Sequence, residues 1–274
     1  MSAATVLLVS RGTMTGGQMI GECLVRHEGI HYITREDLLA SVNGYGGIAT
    51  RVTSSMAHAV DAYEKFSRLR HPYRILMKRA LLEYAQQGPL AYFGYSGHML
   101  LERVRHFVRI RLLAPMRMRV AATCERLGYS QEEARDYVKR VDEERLHWAR
   151  LMYGLDLRDP HLYDLCVNLE RLSAEGACDI LHHMMARPDF QPTPESIVQV
   201  QDELTATQAL AALVLDTRTL QLEVSATVKN GVLRLVGPYL SDAEVANVRS
   251  IAGSATGIRQ VEYEPGYVTA FQNA

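Results

Sequence analysis

The chain has 274 residues, 47% hydrophobic and 22% charged, which is enough apolar content for a sizeable core and excludes a mainly disordered chain. Thirty Lys and Arg stand against 31 Asp and Glu, so no global charge selects nucleic acid or a membrane surface as partner. At ~150 residues per domain, the length implies about two domains.

Thr5–Ser10 (TVLLVS) is short, apolar and β-branched, as a buried parallel strand is. A Gly-rich turn follows, and then helical content from Gln18 to His27. Leu90–Tyr95, His106–Ala114 and Tyr163–Leu169 read as further strands, with helices over roughly 72–87, 116–127, 130–151 and 173–186. Strands alternating with helices predict an α/β fold with a parallel sheet covered on both faces. Pro188, Pro192 and Pro194 cannot continue a helix and predict a stiff linker over 188–200. Beyond it Asp202–Leu215 is helical and Leu220–Val228 alternates. Asn230-Gly231, tolerant of positive φ, separates that run from Val232–Val236 as a hairpin turn does. Ser241 and Glu244 have capping-box spacing at the head of another helix, and Gly257–Tyr263 closes as a strand. The expected organisation is an α/β domain over 1–187, a linker over 188–200 and a small α+β (αββαβ) module over 201–274.

Cys23, Cys124, Cys166 and Cys178 are widely spaced and form no Cys-x-x-Cys pair, which disfavours a disulfide scaffold or a zinc site. Met1–Thr5 lacks the basic region of a secretory leader, and no apolar run approaches the ~20 residues of a membrane span. The expectation is a cytoplasmic protein without a transmembrane segment. His182 and His183 are neighbours on a helix and face different directions, and His98 and His106 have no carboxylate at ligand spacing. No metal site is therefore expected among the histidines. Tyr92, Phe93 and Tyr95 have no basic residues interleaved, so they read as strand core rather than a nucleic-acid stacking platform.

Two features carry chemistry. Gly12-x4-Gly17 has the glycine spacing of a phosphate-binding loop, placed between a buried strand and a helix start. There, backbone N–H groups can meet an anion. The Lys and the hydroxyl that complete such a loop are replaced by Gln18 and Met19, leaving Thr13 and Thr15 as the hydroxyls within it. The alternative is a Gly-rich turn with no ligand. The second feature is a run of twelve basic residues between Met99 and Arg150, all but one Arg. Clustered Arg on a helical lid suits phosphoryl transfer, which is mostly positioning and charge stabilisation. The alternative is a solvated face, since Arg140 with Glu144 and Glu132 with Arg135 have ion-pair spacing. From Gln201 onward only five basic residues face eight acidic ones.

The order of motifs resembles the cytidylate kinase-like family of P-loop nucleoside monophosphate kinases. The matching segments are Val9-Ser10-Arg11 with Thr15-Gly16-Gly17, His31–Glu36, Phe93–His98, Ala114–Arg119, Asp142–Arg145 and Tyr163–Asn168. The resemblance implies an ATP donor with Mg²⁺ on loop residues Arg11, Gly12, Thr13, Met14, Thr15, Gly16, Gly17 and Gln18. It implies a nucleoside monophosphate acceptor near Arg35 and Tyr95. It implies catalytic lid contacts from Arg140, Asp142 and Arg145, and a donor-base side at Arg119 and Asn168. The chain departs from the family pattern at Gln18 (Lys or Arg in the family), Tyr95 (Arg), Thr34 (Asp) and Met14 (a loop glycine). Two lost charge-assisted hydrogen bonds, at ~1.5–3 kcal/mol each, slow transfer by about two to four decades. Two functions follow: γ-phosphoryl transfer to a CMP-like acceptor, or a degenerate kinase fold that senses a nucleotide or another ligand. Residues ~201–264 resemble a BON domain at Asp202–Leu204, Val228–Gly237, Ser241–Glu244 and Gly257–Val261. That resemblance implies a non-catalytic module binding lipids or other ligands.

Overall fold

The structure, a computed structural model, describes residues 4–57, 63–94, 96–101 and 104–266. In chain order the elements are β1 (Val6–Arg11), α1 (Gly17–Glu28), β2 (His31–Thr34), α2 (Arg35–Asn43), α3 (Gly47–Ala57), α4 (Tyr63–Ala85), β3 (Leu90–Gly94), β4 (Phe107–Leu113), α5 (Met116–Leu127), α6 (Gln131–Tyr153), β5 (Leu165–Asn168) and α7 (Ala174–Ala186). There follow α8 (Pro194–Leu215), β6 (Ser225–Lys229), β7 (Val232–Gly237), α9 (Asp242–Ala252) and β8 (Gln260–Pro265). Contacts divide the chain into two units, Met1–Arg35 with Ala85–Thr193, and Glu36–Tyr84 with Pro194–Ala274. Residues 36–84 thus belong by contact with the C-terminal part of the chain.

The first unit is built on a five-stranded, all-parallel sheet in the order β2-β3-β1-β4-β5. Val9 of the central strand sits between Phe93 and Ile110, and Ser10 between Gly94 and Arg111. The period of two then sorts the side chains. Leu7, Val9, Ala91, Phe93, Val108, Ile110, Leu112 and Val167 share a buried cluster with Ile20, Cys23 and Leu24 of α1 and Ala177, Cys178 and Leu181 of α7. Each fully buried Leu, Ile, Val or Phe contributes ~1.5–3 kcal/mol of transfer free energy. Val6, Leu8, Ser10, Tyr92, Arg109 and Arg111 lie on the other face.

The packing of α1 beside α7 corrects the cysteine reading, because Cys23 and Cys178 are joined by a disulfide. They are 155 residues apart in sequence, and the shared face of the sheet brings their Cα atoms within 6.3 Å. Cys124 and Cys166 are free.

The α5–α6 pair carries the Arg-rich stretch. Helix α6 starts on a complete capping box, Ser130 accepting from the Glu133 N–H while the Glu133 carboxylate accepts from the Ser130 N–H.

In the second unit β6 and β7 pair antiparallel across Asn230 (φ 53°) and Gly231 (φ 73°), the expected hairpin. Strand β8 adds to β7 in parallel, giving a mixed three-stranded sheet in the order β6-β7-β8. Helix α8 packs on β6 and α9 on β8, burying Leu233, Leu235, Val248 and Ala252 completely. The expected capping box at Ser241 and Glu244 is present. Helix α8 begins at Pro194, so residues 194–200, expected as linker, are helical. Proline at the first helical position sacrifices only an N–H that has no intrahelical partner, and its fixed φ suits the helix. Lys78 of α4 is ion-paired with Glu203 of α8 within this unit. No helix among the described residues is long and apolar enough to cross a membrane.

Candidate functional site

All five strands of the parallel sheet end at one edge. The segments that follow them collect there: Gly12–Gly16 after β1, Arg35 after β2, Ser96–Met99 after β3, Pro115–Arg119 after β4 and Asn168–Glu170 after β5. Strand β1 lies between β3 and β4, so the chain departs from it toward β2 on one side and returns past it to β4 on the other. In such sheets the crevice outside the carboxyl end of the central strand is the ligand site.

The loop is shaped by a few contacts. Gly16 caps α1 at φ 83°, a left-handed conformation that favours glycine, and no side chain caps the first N–H groups of the helix. The Thr15 hydroxyl donates to the Gly12 carbonyl at 3.1 Å. Gly12 faces the Arg119 guanidinium so closely that a Cβ there would lie 3.1 Å from Nη2. Met14 takes φ 56°, in the left-handed region that favours glycine.

A second layer comes from α5 and α6. The Thr13 N–H donates to Asp142 Oδ1 at 3.0 Å, and Arg119 Nη2 donates to Asp142 Oδ2 at 2.6 Å. Arg119 Nε donates to the Thr13 carbonyl at 2.6 Å, which closes a three-residue ring. Arg119 is buried, so these charge-assisted bonds are stronger than they would be in water. Two polar atoms of the same loop, Thr13 Oγ1 and Arg11 Nε, are buried without a hydrogen-bond partner.

The structure thus brings Arg11, Gly12, Thr13, Met14, Thr15, Gly16, Gly17, Arg119 and Asp142 together, and it places Arg119 on the loop backbone. Arg145 lies one turn beyond Asp142 on the same side of α6. Arg140 does not join them; it is exposed, paired with Glu144 at 2.9 Å and set 5.6 Å from the Tyr137 ring. Gln18 is exposed too, its Nε2 donating to Glu22 Oε1 at 2.9 Å along α1. Asn168 Oδ1 accepts from the Glu170 N–H at 3.0 Å in the turn after β5. Arg35 opens α2 at the same edge. Tyr95 lies outside the described residues.

The sequence reading passed over a polar group beside the loop. Arg111 donates to Ser10 Oγ at 2.8 Å, and Tyr163 donates to the Leu157 carbonyl at 2.9 Å while its ring meets the His98 ring at 4.8 Å. Arg109 holds Asp164 through Nη2 at 2.6 Å and through its backbone N–H at 2.8 Å. Both His98 ring nitrogens are buried without a partner. Burial, then the Arg111 and Arg109 charges, push His98 down to about 3 against an opposing push from Asp164, so it is neutral at pH 7. The signal was present in HFVRIRLLA: two Arg spaced by two inside an apolar strand share one face. No group of three His, Cys, Asp or Glu among the described residues is placed to hold a metal ion.

The sequence profile of the cytidylate kinase-like family matches residues 6–171. A protein named cytidylate kinase from Pyrococcus horikoshii is 24% identical over 179 residues, spanning 64% of this chain and 85% of its own length. Another of that name from Ignicoccus hospitalis is 22% identical over 184 residues, 66% of this chain and 99% of its own. The crystal structure of an uncharacterized protein from Eubacterium ventriosum superposes with a TM-score of 0.53 at 14% identity, covering 66% of this chain and 98% of that one. That last likeness is one of fold.

Proposed function

Because the chain belongs to the cytidylate kinase-like family, we propose that it binds ATP on loop 12–17 and transfers the γ-phosphoryl group to a nucleoside monophosphate of the CMP type. The observation that carries the proposal is the strand–loop–helix geometry at the centre of the parallel sheet. The first N–H groups of α1 lack a side-chain cap, and Thr13 Oγ1 and Arg11 Nε lie buried and unpartnered on the same loop. These are donors suited to phosphate oxygens.

In this reading Arg11 and the loop amides hold the donor phosphates, and Arg35 stands on the acceptor side. Arg119 and Arg145 supply positive charge to the transferring group. Mg²⁺ fits beside Thr13, whose hydroxyl is the loop oxygen without a partner, Thr15 being engaged by Gly12. When bound, the ion neutralises phosphate charge. The C-terminal residues 201–264 form, in this proposal, a BON-type binding module that serves the kinase unit rather than carrying chemistry.

One observation favours a second reading, binding without turnover. Gln18 stands where the family places a cation and bonds instead to Glu22. A coupled assay with CMP, dCMP, UMP and AMP tests the first reading. ADP formation with any of them supports transfer. None at high enzyme, together with calorimetric ATP binding, establishes the sensor.

A further inference from the structure

The ring of Thr13, Arg119 and Asp142 has a consequence for ligand binding, which rests on the loop being a phosphate site. A carboxylate and a phosphate ask for the same donors, and Asp142 already takes two at the loop. One is the backbone N–H of Thr13 at 3.0 Å and the other Arg119 Nη2 at 2.6 Å. Both oxygens of the carboxylate are engaged, one by each donor. The third side of the ring, Arg119 Nε to the Thr13 carbonyl at 2.6 Å, fixes the guanidinium against the loop whichever anion it serves.

We propose that Asp142 is an intramolecular phosphate mimic. Its carboxylate and a ligand polyphosphate compete for the Thr13 N–H and Arg119, so the α6 contact and loop occupancy exclude one another. The electrostatics support exclusion rather than sharing, because two anions at hydrogen-bond range of one guanidinium repel in a partly buried setting. Arg119 is the group handed over: it leaves the carboxylate and takes the phosphate without leaving the loop. Asp142 stands in the middle of α6, so its release frees α6 from the loop, and anion binding is coupled to the position of the lid helix.

The test uses the full chain and two probes, inorganic pyrophosphate and ADP, each in EDTA and in Mg²⁺. Asp142→Asn keeps the shape of the side chain and removes its charge. The expected result is tighter binding of both probes in EDTA, by about tenfold, the lower end of what a hydrogen bond to a charged group carries. Weaker binding confined to Mg²⁺ overturns the proposal, because Asp142 is then a ligand of the cation. Unchanged binding in EDTA also overturns it, since the contact is then structural. The wild-type protein gives an arm that needs no variant: the Thr13 amide resonance followed during pyrophosphate titration. A saturable shift supports the competition. A Thr13 resonance that stays fixed while those of Gly16 and Gly17 move overturns the competition and leaves the phosphate loop standing. No shift at any loop amide overturns the phosphate loop itself.

Discussion

On one face of the parallel sheet the clustered side chains are all apolar; on the other, Arg109 lies level with Leu8 and Tyr92, and Ser10 and Arg111 lie one step nearer the carboxyl edge. The apolar face holds α1 and α7 and closes with the Cys23–Cys178 disulfide. The mixed face grows more polar along the strands, and its polar groups are bonded pairwise: Arg111 to Ser10, Arg109 to Asp164. The difference separates two tasks within one sheet. Packing free energy comes from a face that needs no partner outside the protein. Charge is built into the other face at Arg109 and Arg111, and partial burial there is tolerated because each Arg has an acceptor.

The sharpest way to break this comparison is at the disulfide, since it staples the two helices that cover the apolar face. Protein denatured without reductant is expected to titrate two thiols, Cys124 and Cys166. Reduction is expected to lower stability to urea by about 2–4 kcal/mol, the usual range for closing a long loop. Four thiols in freshly purified, unreduced protein show that packing alone holds α1 to α7.

The polar face is read by pH. His98 is buried neutral, its value lowered from 6.5 to about 3 by burial and then by Arg111 and Arg109. The unfolded chain therefore binds a proton that the folded chain refuses. The contribution of His98 is fully present above pH 6.5 and is lost as the pH falls toward 3. Between pH 7 and pH 4.5 the expected loss is about 2–3 kcal/mol, at ~1.4 kcal/mol per pKa unit. The variant His98→Gln is expected to flatten that part of the stability profile in urea titrations. An unchanged slope shows that His98 finds a proton acceptor or contacts water in solution.

Much of the fold was legible in the sequence, for a physical reason. Strands buried on both faces, such as Val6–Arg11 and Leu90–Gly94, are nearly continuous apolar runs, and Asn230-Gly231 is chemically suited to its turn. Strand β2, four residues with His31 exposed, gives no such signal and was read only as part of a motif. The start of α8 was hidden because Pro194 reads as a breaker unless its position in the helix is known. At the site, the loop was legible from its glycines. Asp142, read as a catalytic lid residue, bonds the loop backbone, and Arg119, assigned to the donor base, packs on Gly12 and Thr13. Such placements depend on how α5 and α6 return over the sheet edge, 106 residues from Thr13 in the case of Arg119, and no local pattern encodes them. The Cys23–Cys178 pairing is invisible for the same reason.

The smallest effect lies where the two faces meet, in the loop itself. Met14 and Asn230 are the non-glycine residues with positive φ among those described, at 56° and 53°. Asn tolerates that conformation through its short polar side chain, whereas Met has no such compensation and pays the Cβ–carbonyl clash of the left-handed region. Met14→Gly removes the clash but adds freedom to the unfolded chain, so the two terms oppose. The clash is worth roughly 1–2 kcal/mol and the added entropy about half of that, leaving a net gain of up to about 1 kcal/mol. Asn230→Gly, with less strain to relieve, is expected to change stability by only a few tenths of a kcal/mol. Both are read by urea unfolding. If Met14→Gly instead destabilises the protein, the loop conformation is held by contacts of the Met14 side chain. If it stabilises and also tightens pyrophosphate binding, the strained residue was opposing the bound form of the loop.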